Sequence, residues 1–458
     1  MVTMTLMPVT DSVFLFIESR EHPMHVGGLQ LFRKPEGADG QYLRNLHDDL
    51  LKKNDIDPLF RRRPAKPLNT AGYLAWVEDD DVDLDYHFRH SALPQPGRVR
   101  ELLELASRWH SILLDRHRPL WESHLVEGMQ DGRFAVFSKI HHALLDGVSA
   151  LRHLQSTLSP DPFDFECPPQ WAPRRPRKSD EERGPRFSLL RTARESVDQL
   201  VTLAPAAFKV ANEVFRENAL TLPIQAPKTM LNVPIGGARR FAAQSWSLTR
   251  VREIATATGT STNDVMLAMC SGALRDYLIE QSALPDDPLV AMVPVSMRKP
   301  SDTEHGGGNK IGAVLCNLGT DRKDPAARLG AIHRSMREAK RVFRELTPVQ
   351  ALLLSALNVA QVGVTSLTGL AVNTRPPFNL VISNVPGPSE QMYWNGAKLD
   401  GIYPASVLLD GQALNITVTS NGDNLDFGVT GCRRSVPHLQ RLLLHLDTAL
   451  AELEHATR

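Results

Sequence analysis

The sequence predicts a mixed α/β protein of two domains, and three observations carry that reading. The chain has 458 residues with a 42% hydrophobic fraction, enough for two domain-sized cores rather than one. Helical and strand-like hydrophobic periods occur in both halves. Between the halves, from Ser159 to Pro185, lies a proline-rich stretch carrying Arg174, Arg175, Arg177 and Lys178, a composition that favours an extended tether over a packed element. The expected division is therefore 1–160, a connecting segment at 161–240 that includes a helix, and 241–458.

Met24 to Phe32 suits a strand, and Val99 to Leu114 spaces Leu102, Leu103, Ala106 and Trp109 as a helix that ends before Pro119. Phe134, Val136 and Ser138 alternate with Ala135, Phe137 and Lys139 in a strand running into His141 and His142. Gly147 and Ser149 then precede Leu151, Leu154 and Leu158, so the chain leaves a strand through a His-Asp loop and enters a helix. A helical stretch is expected near 187–217, and a second mixed region opens near Phe241 with Trp246, Leu248 and Val251. There Ser261 to Asp264 precede an apolar helical run through Ala268 and Leu274. Leu289 to Val295 and Phe378 to Ile382 read as strands, the latter ending in a rigid turn, Ser383-Asn384-Val385-Pro386-Gly387-Pro388. Residues 346–374 carry no charge; the polar residues among them favour a core helix, or one lining a lipid site or touching a bilayer, over a membrane span.

The balance of 52 basic and 52 acidic residues leaves no overall field to recruit nucleic acid. The four cysteines are widely separated, which fits a reducing compartment and neither a disulfide framework nor a zinc site. The first ten residues lack the basic start and long apolar stretch of a signal peptide, with Asp11, Glu18 and Arg20 soon following.

His142 is the candidate for chemistry. A neutral imidazole can take the proton of an alcohol as its oxygen attacks a carbonyl, the requirement of acyl transfer. Against this stands the bland alternative of a histidine satisfying backbone groups and an aspartate, Asp146, capping a helix. The doubled histidine, Gly147 where a tight turn would need it, and the strand-to-helix position favour function. No His-Glu-x-x-His helix or third ligand supports a metal, no Gly-x-Ser-x-Gly elbow supports a serine nucleophile, and Cys270 lies in an apolar helical run. Direct transfer then needs a polar group near the carbonyl oxygen, for which Asn263, Asn384 and backbone amides are candidates, each with an alternative as cap or turn residue.

His141-His142-Ala143-Leu144-Leu145-Asp146-Gly147 resembles the His-His-x-x-x-Asp-Gly motif of the coenzyme A-dependent acyltransferases. Pro119-Leu120-Trp121-Glu122, Asn263-Asp264, Val293 to Arg298, Ser383 to Pro388 and Pro23 to Gly28 together resemble the ordered motifs of bacterial wax ester synthase/diacylglycerol acyltransferases, across almost the whole chain. The resemblance implies two chloramphenicol-acetyltransferase-like domains facing each other across a substrate tunnel. It implies fatty acyl-CoA as donor, CoA as product, a long-chain alcohol or diacylglycerol as acceptor, and no tightly bound cofactor or metal. It makes His142 the general base, His141 a support, and Asp146 a structural residue paired with Arg298. Asn263 falls near the reaction centre, with Gly147, Ser383 and Asn384 as binding residues. An uncharged 349–364 segment would line the acyl site through Ala356 and Ala360. Substrates of this kind imply a cytoplasmic protein associated peripherally with the inner face of the plasma membrane or with lipid inclusions. A carrier-fed condensation enzyme and a non-catalytic lipid-body scaffold are the competing readings.

Overall fold

The computed structural model describes residues 4–65, 75–173, 226–296, 311–345 and 375–457. In chain order the first half contains β1 (Met4–Leu6), α1 (Val9–Ile17), β2 (His25–Arg33), α2 (Tyr42–Leu51), β3 (Arg62–Ala65), β4 (Ala75–Glu78), α3 (Leu84–His87), β5 (Phe88–Ala92), α4 (Val99–Ser111), β6 (Trp121–Glu127), β7 (Phe134–His141) and α5 (Gly147–Ser156). The second contains β8 (Arg239–Ser247), α6 (Leu248–Thr258), α7 (Thr262–Glu280), β9 (Val290–Ser296), β10 (Ile311–Asn317), α8 (Pro325–Glu345), β11 (Leu380–Val385), β12 (Tyr393–Trp394), β13 (Ala397–Ala405), β14 (Leu414–Asn421), β15 (Asn424–Cys432) and α9 (Arg441–Ala456).

Two six-stranded sheets organise these elements, in the orders β12-β13-β2-β7-β6-β5 and β10-β9-β11-β14-β15-β8, beside a small sheet β1-β4-β3. The expected strand at Met24 to Phe32 is β2, and the one leading into the histidines is β7. Every residue of β7 is buried. Phe134, Val136 and Ile140 join one apolar cluster, with Trp121 and Leu151, and Ala135 and Phe137 join another, with Leu102 and Leu103 of α4. The two-residue strand period thus sends alternate side chains into separate cores. A third, larger core surrounds α7, whose residues Val265 to Ala273 are buried on all sides among α6, α8, α9 and the second sheet. Cys270 lies in that core, where burial pushes its thiol up to about 12.

The contiguous division of the chain misses an exchange. Strands β12 and β13, from the later half, complete the first sheet, β13 pairing antiparallel with β2 from Lys398↔Arg33 to Ala405↔Gly27. The start of the proline-rich stretch is also better packed than its composition suggests. Cys167 and Trp171 are buried in the first-sheet core, and the Trp171 indole donates to the Lys53 carbonyl at 2.8 Å. Burial of Cys167 and Trp171 outweighs the tether-like composition there. The expected helix near 187–217, the basic group at 174–178 and the uncharged 346–374 segment lie outside the described residues. Among the described residues, no helix is long and apolar enough to cross a membrane.

β13 also bears against the second sheet. The Ile402 amide donates to Asp426 Oδ2 on β15 at 2.7 Å, and the Ser406 amide to Thr430 Oγ1 at 3.2 Å. A Cβ on Gly428 would lie 1.8 Å from the Pro404 carbonyl oxygen, so only glycine permits this approach. From the other side of the junction, Ser107 and Ser111 of α4 accept the amides of Phe241 and Arg239 on β8 at 2.9 and 2.8 Å.

Burial pushes the Asp426 carboxyl up to about 6, against the opposing hydrogen bonds from Ser245, Ile402 and Asn421. A carboxyl raised on folding stabilises the fold in acid, and that contribution is lost as pH rises through about 6. Asp426→Asn should therefore be more stable than the parent at pH 8, by up to about 3 kcal/mol, with the gain shrinking towards pH 5. Denaturant unfolding at both pH values checks this, and a gain independent of pH would contradict it. Gly428→Ala should destabilise at either pH by at least ~2 kcal/mol.

Candidate active site

The site is built where β7 ends. The His141 amide donates to the Leu120 carbonyl at 3.0 Å and the His142 amide to the Met24 carbonyl at 2.8 Å. The first motif residues are thereby stitched to the Pro119–Glu122 and Pro23–Gly28 segments on either side. Leu144 and Leu145 then donate their amides back to the His141 carbonyl, forming the turn. Asp146 ends it as N-cap of α5, its carboxylate accepting the Ser149 amide at 2.7 Å.

The two histidines have opposite surroundings. His141 is fully buried; its Nδ1 accepts the Ala143 amide at 3.0 Å, so a neutral ring carries its proton on Nε2, which lies 3.2 Å from Glu18 Oε1. Glu18 terminates α1, and its buried carboxylate also meets Arg116 Nη2 at 2.9 Å and the Met24 amide at 3.1 Å. Burial would raise this carboxyl, but His141, Arg116 and the Met24 amide together hold it below its ordinary value. One buried anion thus ties α1, β2 and the His141 ring together.

His142 has no such anchor. Its ring, partly accessible, stacks on Phe14 of α1 at 4.2 Å between centroids, and its Nδ1 is enclosed without a hydrogen-bond partner. Burial drives its pKa down to about 4, with the His141 charge in the same direction, against the opposing influence of Asp146 and its own backbone. The ring is therefore neutral at physiological pH, the form that can accept a proton.

Beneath this lies a second buried charge pair. Lys139 Nζ is 2.6 Å from Glu122 of the Pro119–Glu122 motif and donates to the Trp109 and Ile112 carbonyls at 3.0 and 2.8 Å. Burial would raise the Glu122 carboxyl, but His124 and Lys139 hold it down at about 2.

From the second half, Asn263 and Asn384 come together, the Asn384 amide donating to Asn263 Oδ1 at 3.3 Å. Asn263 sits in the first turn of α7, which Ser261 caps, and the neighbouring Asp264 completes a capping box with Ser261. Ser383 and Asn384 do not begin a turn as expected; they are strand residues of β11, paired in parallel with Thr417 and Val418. The turn starts at Pro386, and a Cβ on Gly387 would lie 1.8 Å from the Ser420 carbonyl oxygen. This turn reaches the first half, where Gln155 of α5 donates to the Pro386 carbonyl at 3.4 Å and Val385 joins the core of Val26 and Leu151.

Gly147 is the first residue of α5 and has no left-handed backbone, so the tight-turn expectation fails there. A Cβ at 147 would make an ordinary 3.7 Å contact with Val26. Arg298, Ala356 and Ala360 lie outside the described residues. Among the described residues, no His, Cys, Asp or Glu cluster could hold a metal ion. A surface groove of 540 Å³ between the start of α8 and the end of α9, lined by Lys323, Glu452 and His455, contains none of the candidate residues.

Phe14, Glu18 and Arg116 escaped the sequence reading. Their signal was local: acidic Glu18 closing the apolar run Val13 to Ile17, a place where a charge is either solvated or specifically paired.

Comparison with known proteins agrees with the motif set. Residues 6–266 match the model of the wax ester synthase/diacylglycerol acyltransferase catalytic domain, and residues 307–454 that of the family's C-terminal domain. A Mycobacterium bovis protein provisionally named diacylglycerol O-acyltransferase is 54% identical over 99% of both chains, and the O-acyltransferase WSD of Acinetobacter baylyi is 42% identical over 97% of this chain and 96% of that protein. The solved wax ester synthase/diacylglycerol acyltransferase of Marinobacter aquaeolei superposes with a TM-score of 0.79 at 44% identity, covering 99% of this chain and 100% of that one. The first condensation domain of the calcium-dependent antibiotic synthetase shares the fold at a TM-score of 0.57 and 13% identity, over 99% of this chain and 96% of that one. The chain therefore belongs to the wax ester synthase/diacylglycerol acyltransferase family and is an O-acyltransferase.

Proposed function

We propose that the chain passes a long-chain acyl group from acyl-CoA to the hydroxyl of a long-chain alcohol or diacylglycerol, with His142 as general base. The observation that carries this is the contrast between the paired histidines. His141 Nδ1 accepts a backbone amide and its Nε2 lies 3.2 Å from the Glu18 carboxylate, whereas His142 is held by its backbone and an aromatic face, with no described carboxylate paired to its ring. His142 takes the acceptor's proton as the oxygen attacks the thioester carbonyl. The carbon–sulfur bond then breaks, and the proton passes to the departing sulfur, releasing CoA and the ester. Nε2 is the acting nitrogen, since Nδ1 is enclosed.

Asn263 and Asn384 supply amide groups near the reacting carbonyl. Asp146 holds the loop by capping α5 and, in this reading, by pairing with Arg298. The same reading assigns Ala356 and Ala360 to the acyl site. The acceptor's insolubility supports peripheral association with a membrane or lipid inclusion. The carrier-fed alternative finds a likeness only in fold.

Purified His142→Ala should lose about 100- to 10,000-fold in CoA release from palmitoyl-CoA with hexadecanol or dipalmitoylglycerol, while its unfolding midpoint stays close to the parent's. Equal turnover by the two proteins would remove His142 from the mechanism. Because a base works when neutral and burial holds His142 near 4 in the free protein, the acid limb of the kcat/KM profile should fall near pH 4 rather than at an ordinary histidine's value. Glu18→Gln, which leaves Arg116 and His141 without their anion, should lower kcat by about tenfold or more and destabilise the protein by roughly 3 kcal/mol. Unchanged activity in a destabilised variant would confine Glu18 to folding.

A further inference from the structure

We propose that His333, on α8, is a positioning residue for acyl transfer, acting through Asp264 to hold Asn263 in place. This rests on the reading of Asn263 as a reaction-centre group. The capping box at the start of α7 is closed in the ordinary way: Ser261 Oγ accepts the Asp264 amide at 3.2 Å and Asp264 Oδ2 accepts the Ser261 amide at 3.1 Å. Its location is not ordinary. A capping carboxylate usually meets water, but Asp264 is 3% exposed, and its Oδ1 is enclosed without a hydrogen-bond partner. The side chain that reaches this anion from another element is His333, with Nδ1 2.9 Å from Oδ2.

A buried carboxylate loses its hydration, and removing one of its few donors carries a penalty larger than an exposed cap would feel. The carboxylate can relieve that penalty by turning towards solvent, which opens the capping box and lets the first turn of α7 shift. Asn263 is the residue immediately before Asp264, and its Oδ1 is held by Asn384 at 3.3 Å. A small rotation of that turn moves Asn263 away from its partner. α8 is itself fixed against the second sheet, where Ser335 Oγ accepts the Asn317 amide of β10 at 3.0 Å. His333 therefore transmits the position of a sheet-bound helix to the asparagine pair without needing to touch substrate.

The test uses the full-length protein and four variants, His333→Phe, His333→Asn, Asn263→Ala and the double His333→Phe/Asn263→Ala. CoA release is measured against palmitoyl-CoA concentration with hexadecanol, beside unfolding midpoints. Phe fills the space without a donor and should lower kcat about tenfold with KM for palmitoyl-CoA changed less than about twofold. Asn keeps an amide donor where Nδ1 stood and should restore kcat to within about threefold of the parent. The double variant should be no slower than Asn263→Ala alone, because both changes act through one group. Parent-like kcat in the Phe variant, an Asn variant no better than Phe, or losses that multiply in the double variant would each overturn the proposal. Full activity in Asn263→Ala alone would refute the role given to Asn263, and a slow Phe variant beside it would show His333 acting by another route.

Discussion

Burying the Glu18 carboxylate imposes a demand that the surrounding structure is arranged to meet. An ionised carboxylate removed from water is stable only with cations and donors around it. Glu18 closes α1, and its partners come from three other places in the sequence: Met24 just before β2, Arg116 after α4 and His141 at the end of β7. Arg116 also donates to the Leu15 carbonyl at 2.8 Å, so the same guanidinium fixes the helix that carries the anion. Because α1 places Phe14 against His142 as well, the carboxylate indirectly sets the position of the His142 ring. The adjacent histidines can then differ in character. A carboxylate hydrogen-bonded to His142 would raise its pKa and hold it protonated; directed to His141, the same charge orients the loop and leaves His142 neutral.

The second constraint is the exchange of β12 and β13. A strand pair from the later half that completes the first sheet makes the two halves one hydrogen-bonded object. Each half also presses on the other through polar contacts at the junction, including the Tyr403 and Ser245 hydroxyls at 2.9 Å. Gly428 allows backbone contact at this junction where any side chain would separate the sheets.

The sequence made the regular elements legible where one hydrophobic period dominated. β2, β7, α4 and α5 follow their patterns, and the Ser261–Asp264 stretch starts α7, with Ser261 as its cap and Asn263 inside the first turn. α4 ends at Ser111, earlier than the apolar run through Leu114, because Ile112 turns extended and leaves its side chain exposed. Pairing was harder to read. Nothing local in Ala397 to Ala405 says that its partner is β2, since strand pairing is decided by the packing of the whole sheet. Ser383 and Asn384 were drawn into a turn by Pro386 and Gly387, yet the parallel ladder with β14 continues to Val385. At the site, the doubled histidine was visible as a motif, whereas the charges that distinguish its members lie more than twenty residues away in sequence and meet only after folding.

This division between local and non-local information follows the chemistry. The proposed base, His142, belongs to the first half and the Asn263–Asn384 pair to the second, so the proposed reaction requires both halves in register. The Pro386 turn is where register can be held: it continues the strand bearing Asn384, accepts a hydrogen bond from α5, and places Val385 in the first-half core. α5 in turn is capped by Asp146, four residues after His142. A displacement of β11 along its axis would therefore have to break the parallel ladder with β14, the Gln155 bond and the packing of Val385 together. The alternatives to the native register are raised by all three at once. In the proposed reaction, that cooperativity would let two asparagines on separate elements act with a base from the other half of the chain.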